Sequence, residues 1–441
     1  MSSQVPINEE PIKNLEQLAD YILQGAKPED KWLVGTEHEK FGWSSASQKH
    51  PSYLGEQGIE ALLLKFEANG WQSTREGQDI IALTKNKASL TLEPGGQFEL
   101  SGAPLSSLTA LDQEIKAHFD ELAIYSKELD LSWHGFGVTP FFKSSDIPRM
   151  PKARYGIMRK YLPTVGRLAN EMMHNTCTVQ ANLDFKNEAD AMKKLRVGLF
   201  LQPVVMAMFA NSPAYEGALT GGTCMRGAIW QETDVQRYLY PAHFLAPNQS
   251  IMDYVKWALK VNLFFIVRNH QYQDCSGLLF NDFLEHGWQG HQATVGDFAL
   301  HLSTLFPDVR LKQYLEVRGA DMSSIDYMKA LPAFHIGILY DDQAMDEVLS
   351  LFKDVSADEL WTCRKSVNLQ GLQTKLKNSS LQTWATQLLK ISRAGLIRRN
   401  ERAEFLDPLE AQVLAGRVPA DRIIEAWHKG KEAVLEATRL I

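Results

Sequence analysis

The sequence predicts an α+β fold, in which a β-sheet floor carries polar side chains and helices pack around it. Three observations predict it. Four short segments carry paired polar residues two apart on strand-like sequence. Helical and strand-like patterns interleave from Asn14 to Ala210. From about residue 324 the pattern is helical to the end, and no linker composition sets that part off. Residues 1–441 therefore read as a single unit, with a sheet-containing core over residues 30–320 and a helical layer over residues 324–441.

The elements follow in order. Residues 14–24 form an amphipathic helix with Asn14 at its cap. Residues 31–43 read as a strand. Residues 55–69 read as a helix closed by Gly70 at the position where a left-handed residue is favoured. Residues 79–92 are two strands joined through the turn KNKA, and residues 105–129 are a long helix followed by the strand LSWHGFGVTP. Residues 152–174 are helical with a break at Pro163. Residues 176–185 alternate, with Thr176, Thr178, Gln180 and Asn182 on one face and Cys177, Val179, Ala181 and Leu183 on the other. Residues 188–210 are helical. Their apolar part, residues 197–210, is too short to span a bilayer and reads as a buried helix. Strands are expected at residues 225–230, 263–268 and 310–318.

Composition narrows the class. Hydrophobic residues make up 44% and charged residues 22%, as in ordinary globular proteins. A net charge of −7 argues against a binder that tracks nucleic-acid phosphates. Cys177, Cys224, Cys275 and Cys363 are scattered without a CxxC, which fits a reducing compartment and not a zinc site or disulfide scaffold. The N-terminal MSSQVPINEEPIKNLEQL is polar and acidic, without the apolar stretch of a secretory leader or the arginines of a transit peptide. The expectation is a cytoplasmic protein with no membrane or nucleic-acid partner.

The four polar segments carry the chemistry. Glu37 and Glu39 in GTEHEKFGW share one face of a strand, as do Gln180 and Asn182 in TCTVQANLDF. Glu93 and Glu99 flank the Pro-Gly-Gly turn of LEPGGQFELSGAP. Arg310, Lys312, Glu316 and Arg318 share parity in RLKQYLEVRGAD. Each segment alone also reads as a polar rim or a salt-bridged strand face. Together they place several carboxylates in one cavity, where they repel each other and lose hydration. Hard divalent cations relieve that cost, and Mg²⁺ sites in nucleotide enzymes combine carboxylates with substrate phosphates. Arginines on the same face suit phosphate oxygens. MPKARYGIMRKYLP is either a substrate clamp or a surface helix, and Arg226 either grips a carboxylate or sits in a local ion pair. No Walker GxxxxGK[ST], GxGxxG or GxSxG is present, so any ATP site is built without a P-loop.

In this order, GTEHEKFG, LEPGGQFELSGAPL, MPKARYGIMRKYLP, TCTVQANLDF, FANSPAYEG, RGAIWQETD and HLSTLFPDVRLKQYLEVRGAD resemble glutamate–cysteine ligase, in its plant-type class shared with proteobacteria. The resemblance covers residues 35–321 with a compatible helical tail. It implies a glutamine-synthetase-like fold, a curved and largely antiparallel sheet forming a funnel with helices outside. It implies ATP as co-substrate, two or three Mg²⁺ ions, and ligation of glutamate through its γ-carboxyl to the α-amine of cysteine, the first step of glutathione synthesis. It also implies roles. Glu37, Glu39, Glu93, Glu99, Gln180 and Glu316 would hold Mg²⁺. Arg318 and Lys312 would stabilise the transferring phosphoryl group. Arg226 would hold the glutamate α-carboxylate, with Arg154, Tyr155 and Tyr161 near the amino-acid sites. The chain would act as a monomer or homodimer. A sister ligase with another amine acceptor and a non-catalytic glutamate or nucleotide sensor are the alternatives.

The chain is expected to depart from the plant pattern in two ways, of which the first is the lack of a plastid transit segment and the second concerns cysteine. The resemblance implies a redox-active cysteine pair across a hairpin. Cys275 in QYQDCSG occupies the first position, and no further cysteine follows before Cys363. Activity is therefore expected to be insensitive to dithiothreitol, and a severalfold change on reduction would contradict this.

Overall fold

A computed structural model describes residues 9–441. The leader expectation for residues 1–8 lies outside the described residues. The strands of the first half are β1 (Val34–Ser44), β2 (Gln72–Glu76), β3 (Asp79–Lys85), β4 (Ala88–Leu92), β5 (Phe98–Ser101), β6 (Leu131–His134) and β7 (Thr178–Leu183). Two small hairpins follow, β8 (Ala214–Tyr215) with β9 (Ala218–Leu219) and β10 (Phe265–Arg268) with β11 (Gln271–Asp274). Then come β12 (Val309–Leu311), β13 (Leu315–Asp321) and a last short pair, β14 (Lys375–Leu376) with β15 (Ser379–Ser380).

The nine strands of the main sheet run β12-β13-β7-β1-β5-β4-β3-β2, with β6 on the far end of β1. Every pairing in it is antiparallel. The architecture is the α+β class expected from sequence. β1 is central because its eleven residues are long enough to pair with β7 at one end, β5 in the middle and β6 at the other end. The β3–β4 turn closes through Asn86 and Lys87, both at positive φ, a conformation that asparagine tolerates well.

The helices of the first half sit where the sequence puts them, while those between Met225 and Ser303 are not expected from it; caps explain several of the bounds. The first helix, Glu16–Leu23, starts where Asn14 Oδ1 accepts the Gln17 N–H at 3.1 Å. Ser107 caps Leu108–Glu128 and Asn187 caps Glu188–Met208. The latter is buried over most of its length, as its apolar run predicts. After Asp321 the chain is helical except for β14–β15, and helix Ile325–Leu339 packs on β7 and β1. The larger apolar core runs from Leu18 to Leu435, and a smaller second cluster gathers Val138, Tyr155, Leu162, Ile229, Phe264 and Phe265. Among the described residues, no helix is long and apolar enough to cross a membrane.

Three strand expectations change. Residues 225–230 form a helix, Met225–Gln231, instead of a strand. Ser212 starts it, its carbonyl accepting the Met225 N–H and its hydroxyl the Arg226 N–H. A run of six residues is too short for periodicity to separate helix from strand. Residues 263–268 contribute β10 to its own hairpin, turned at Asn269 and His270, and not to the main sheet. Residues 310–318 are two strands folded back on each other, so that Arg310 faces Glu316 across the hairpin. β2 carries the polar run QSTRE at the sheet edge and has no apolar alternation to announce it.

Candidate active site

The site is built by register. Across β5, β1 and β7, Glu37 pairs with Ser101 on one side and Gln180 on the other, and Glu39 pairs with Glu99. Across β7 and β13, Asn182 pairs with Glu316. Residues directly opposite in an antiparallel ladder point to the same face. Four adjacent strands thus deliver their polar pairs to one side of the sheet. Glu93 joins them from the turn after β4. That turn needs its glycines: Gly96 has φ +81°, and a Cβ on Gly95 would lie 2.4 Å from the His174 carbonyl oxygen. Gln97 does not face the site but ties the turn to the Met173 and Thr176 carbonyls.

Glu37, Glu39, Glu93, Glu99, Gln180, Arg154, Tyr155, Arg310 and Arg318 line a cleft of about 120 Å³. Glu37 accepts from Asn182 Nδ2 at 2.9 Å, and Glu39 from the Thr178 N–H at 3.0 Å. Glu99 accepts from Thr91 at 2.6 Å and Ser101 at 2.9 Å. Burial pushes the Glu39 carboxyl well above the usual range, and the charges of Glu93 and Glu99 push it further. Among the described residues no three His, Cys, Asp or Glu side chains are grouped as a ready metal cage. The donor set nonetheless fits a hard cation. Buried carboxylates that repel one another gain most from a divalent ion, and Mg²⁺ commonly takes few protein ligands and fills its shell with phosphate and water.

The cationic side of the cleft is organised by Glu316, which is fully buried. It accepts from Arg310 Nε at 2.6 Å, Lys312 Nζ at 3.2 Å and Arg318 Nη1 at 3.1 Å. Burial alone would raise its pKa, but the three cations outweigh it and hold the carboxyl well below the usual range. The sequence places Glu316 among the metal ligands. In the fold both its oxygens are held by cations, so a metal reaches it only where a cation leaves. Arg318 Nη1 also donates to Gln180 Oε1 at 2.7 Å. Lys312 sits behind the cleft beside Glu316, where burial lowers its pKa and Glu316 opposes the shift.

The expected substrate-binding residues separate. Arg154 and Tyr155 line the cleft, and the Tyr155 hydroxyl donates to the Leu92 carbonyl at 2.7 Å. Arg226 lies buried outside the cleft, where Nη2 donates to the Arg318 carbonyl at 3.1 Å and Nη1 stands 3.9 Å from Asp321 Oδ1, the local ion pair that its sequence context allows; among the described residues its Nε has no partner. Tyr161 stands off the cleft, its hydroxyl accepting from Asn262 and its ring edge-on to Phe264. Sequence reasoning missed Met158, Phe265, Ser303, Thr304 and Phe306, which complete the cleft wall. Met158 lies in MPKARYGIMRKYLP, and Ser303, Thr304 and Phe306 lie in HLSTLFPDVRLKQYLEVRGAD, but no polar pairing singles them out there; Phe265 lies outside every quoted motif. It also missed a groove of about 650 Å³ that shares Glu37 with the cleft and is lined by Ala26, Lys27, Ser89, Gly102, Gln313 and Tyr314 among others. All four cysteines are buried and unpaired.

A family model described as Glutamate-cysteine ligase family 2 (GCS2) matches residues 33–437. The chain belongs to this family. Members similar to it include the chloroplastic glutamate–cysteine ligase of Medicago truncatula, 41% identical over 417 residues, covering 94% of this chain and 82% of that one. The Arabidopsis thaliana enzyme is 40% identical over the same length, covering 94% and 80%. The fold is similar to the Francisella tularensis glutamate–cysteine ligase solved with AMP, at a TM-score of 0.54, 16% identity, and coverage of 92% and 87%. The ligase-family match extends beyond the sheet: it runs through the C-terminal helices as far as helix Lys431–Thr438.

Proposed function

We infer that the chain is an ATP-dependent ligase that joins the γ-carboxylate of L-glutamate to the α-amine of L-cysteine. The products are γ-glutamylcysteine, ADP and phosphate, and the reaction opens glutathione synthesis. One observation carries the residue assignment: register on four adjacent strands sets Glu37, Glu39, Glu99 and Gln180 beside Arg310 and Arg318 in a single cleft.

The chemistry is the one the ligase family implies, and the arrangement fits it. A γ-carboxylate oxygen of glutamate attacks the terminal phosphorus of ATP, the bond to ADP breaks, and an acyl phosphate forms. The cysteine amine attacks the acyl carbon, phosphate departs, and the amine loses its proton. Both steps bring anions together, so positioning and charge neutralisation dominate. Arg318, which lines the cleft, and Lys312, beside Glu316 behind it, would neutralise the transferring phosphoryl group. Arg226, buried beside Asp321, would hold the α-carboxylate of glutamate, as the family resemblance implies. Arg154 and Tyr155 orient the amino acids at the cleft wall, with Tyr161 supporting from behind. The 650 Å³ groove is of a size to take a nucleotide, and Glu37 stands where groove and cleft meet.

Glu37, Glu39, Glu93, Glu99 and Gln180 would hold two or three Mg²⁺ ions, with Glu316 joining when its cations turn to phosphate. The bound ions would spread phosphate charge and align the reacting oxygens. Four unpaired cysteines support a reducing compartment, the cytoplasm in this reading. Glutamate labelled with ¹⁸O in its γ-carboxyl tests the route. Transfer of one label to inorganic phosphate is expected in the presence of cysteine, and unlabelled phosphate would contradict an acyl phosphate. Replacing cysteine by alanine or 2-aminobutyrate tests the acceptor.

A further inference from the structure

Arg318 sits at an irregularity of the sheet. The register between β13 and β7 slips between Val317 and Ala320, so Arg318 and Gly319 form a bulge. Bulges re-aim side chains near active sites, and they hold only where the displaced backbone groups are bonded elsewhere. Here the Arg318 N–H donates to the Asp308 carbonyl at 2.8 Å. Gly319 lies so close to Gln202 that a Cβ would fall 2.2 Å from Oε1. The bulge is pressed from outside the sheet as well as within it.

Asp308 is itself gripped through both carboxylate oxygens. Arg364 donates from Nε to Oδ2 at 2.6 Å and from Nη2 to Oδ1 at 2.9 Å. The side chains of Arg364 and Asp308 are 3% and 8% exposed. The Arg364 guanidinium lies 4.5 Å from the centre of the Tyr238 ring. Arg364 belongs to helix Ala357–Gln370, well beyond the last strand of the main sheet. A buried ion pair is weak support for stability, because desolvation offsets its attraction. A two-pronged arginine–carboxylate contact does fix geometry.

We propose that Asp308 and Arg364 are positioning residues that hold the bulge at Arg318, so that a C-terminal helix sets the aim of the phosphoryl-clamping guanidinium. This rests on the reading of Arg318 given above. The test uses the full-length protein as Arg364→Lys and as the double neutral variant Asp308→Asn/Arg364→Met, which leaves no unpaired buried charge. Both are expected to lose about tenfold or more in kcat while KM for glutamate stays within about threefold, since small misplacements cost turnover more than binding. Lysine keeps the charge but not the fork, so charge alone gives no rescue. In an Arg318→Ala background the same changes are expected to add nothing to the loss in kcat. Wild-type kcat in the folded variants, or equal losses with and without Arg318, would overturn the positioning role. Wild-type turnover of Arg318→Ala itself would overturn the reading of Arg318 and this inference with it.

Discussion

Arg318→Ala separates catalysis from stability at this site. The guanidinium donates to Gln180 at 2.7 Å and to Glu316 at 3.1 Å, facing the cleft between them. Loss of one preorganised charge contact to a transition state costs on the order of 3 kcal/mol, or roughly a hundredfold in kcat. The fold loses less. Breaking a buried ion pair completely costs about 3–5 kcal/mol because a bare charge remains. Here Glu316 keeps Arg310 at 2.6 Å and Lys312 at 3.2 Å, so no bare charge is left. The remaining penalty is one donor removed from Gln180, about 1–3 kcal/mol. A coupled assay of ADP release gives kcat, and urea denaturation gives stability. A folded variant within about fivefold of wild-type kcat would refute the phosphoryl role, since that is barely 1 kcal/mol of barrier. A kcat loss that merely tracks the unfolded fraction would refute it too.

Three further outcomes are expected. Glu316→Gln removes the carboxylate that Arg310, Lys312 and Arg318 share and leaves Glu37 as a nearby anion that none of the three is bonded to here, so stability should fall by about 3–5 kcal/mol in urea, and an unchanged midpoint would contradict the hub. Glu39→Gln removes a carboxyl disfavoured by burial and by Glu93 and Glu99, so metal-free melting should hold or rise while stabilisation by Mg²⁺ shrinks; an undiminished Mg²⁺ response would exclude Glu39 as a ligand. Burial depresses His50, His174 and His335 to about 4, and His134 and His301 to about 3. The unfolded chain takes up these protons near pH 6.5, so their contribution is complete above that pH and is lost as pH falls through about 4 for the first three and about 3 for the other two, by ~1.4 kcal/mol per pH unit for each imidazole. Denaturation at pH 7, 6 and 5 checks this, and flat stability over that interval would contradict it.

Much of the site was legible because strands convert spacing directly into direction. Glu37 and Glu39, or Gln180 and Asn182, can face one side only if their segments are extended, and β1 and β7 are. The ladder that sets Glu39 against Glu99 joins residues far apart in sequence, and local pattern does not give it. Arg226 shows the limit. A short run with apolar residues on both sides reads as strand, and the helix that forms there starts on contacts with Ser212 and Asn368, which lie far from it in sequence. The state of Glu316 was equally hidden. Parity put it with Arg310, Lys312 and Arg318, but the hairpin folds those cations onto its two oxygens. Phe265 and Phe306 reach the cleft from a separate hairpin and a loop, where tertiary packing alone decides.

The central claim is a ligase that activates glutamate with ATP and passes it to cysteine. ADP formation by the purified protein with Mg²⁺, ATP and glutamate, with and without cysteine, tests it most directly. Turnover that requires glutamate and rises strongly with cysteine is the predicted result. Absence of ADP under every condition, from a folded protein, would contradict it.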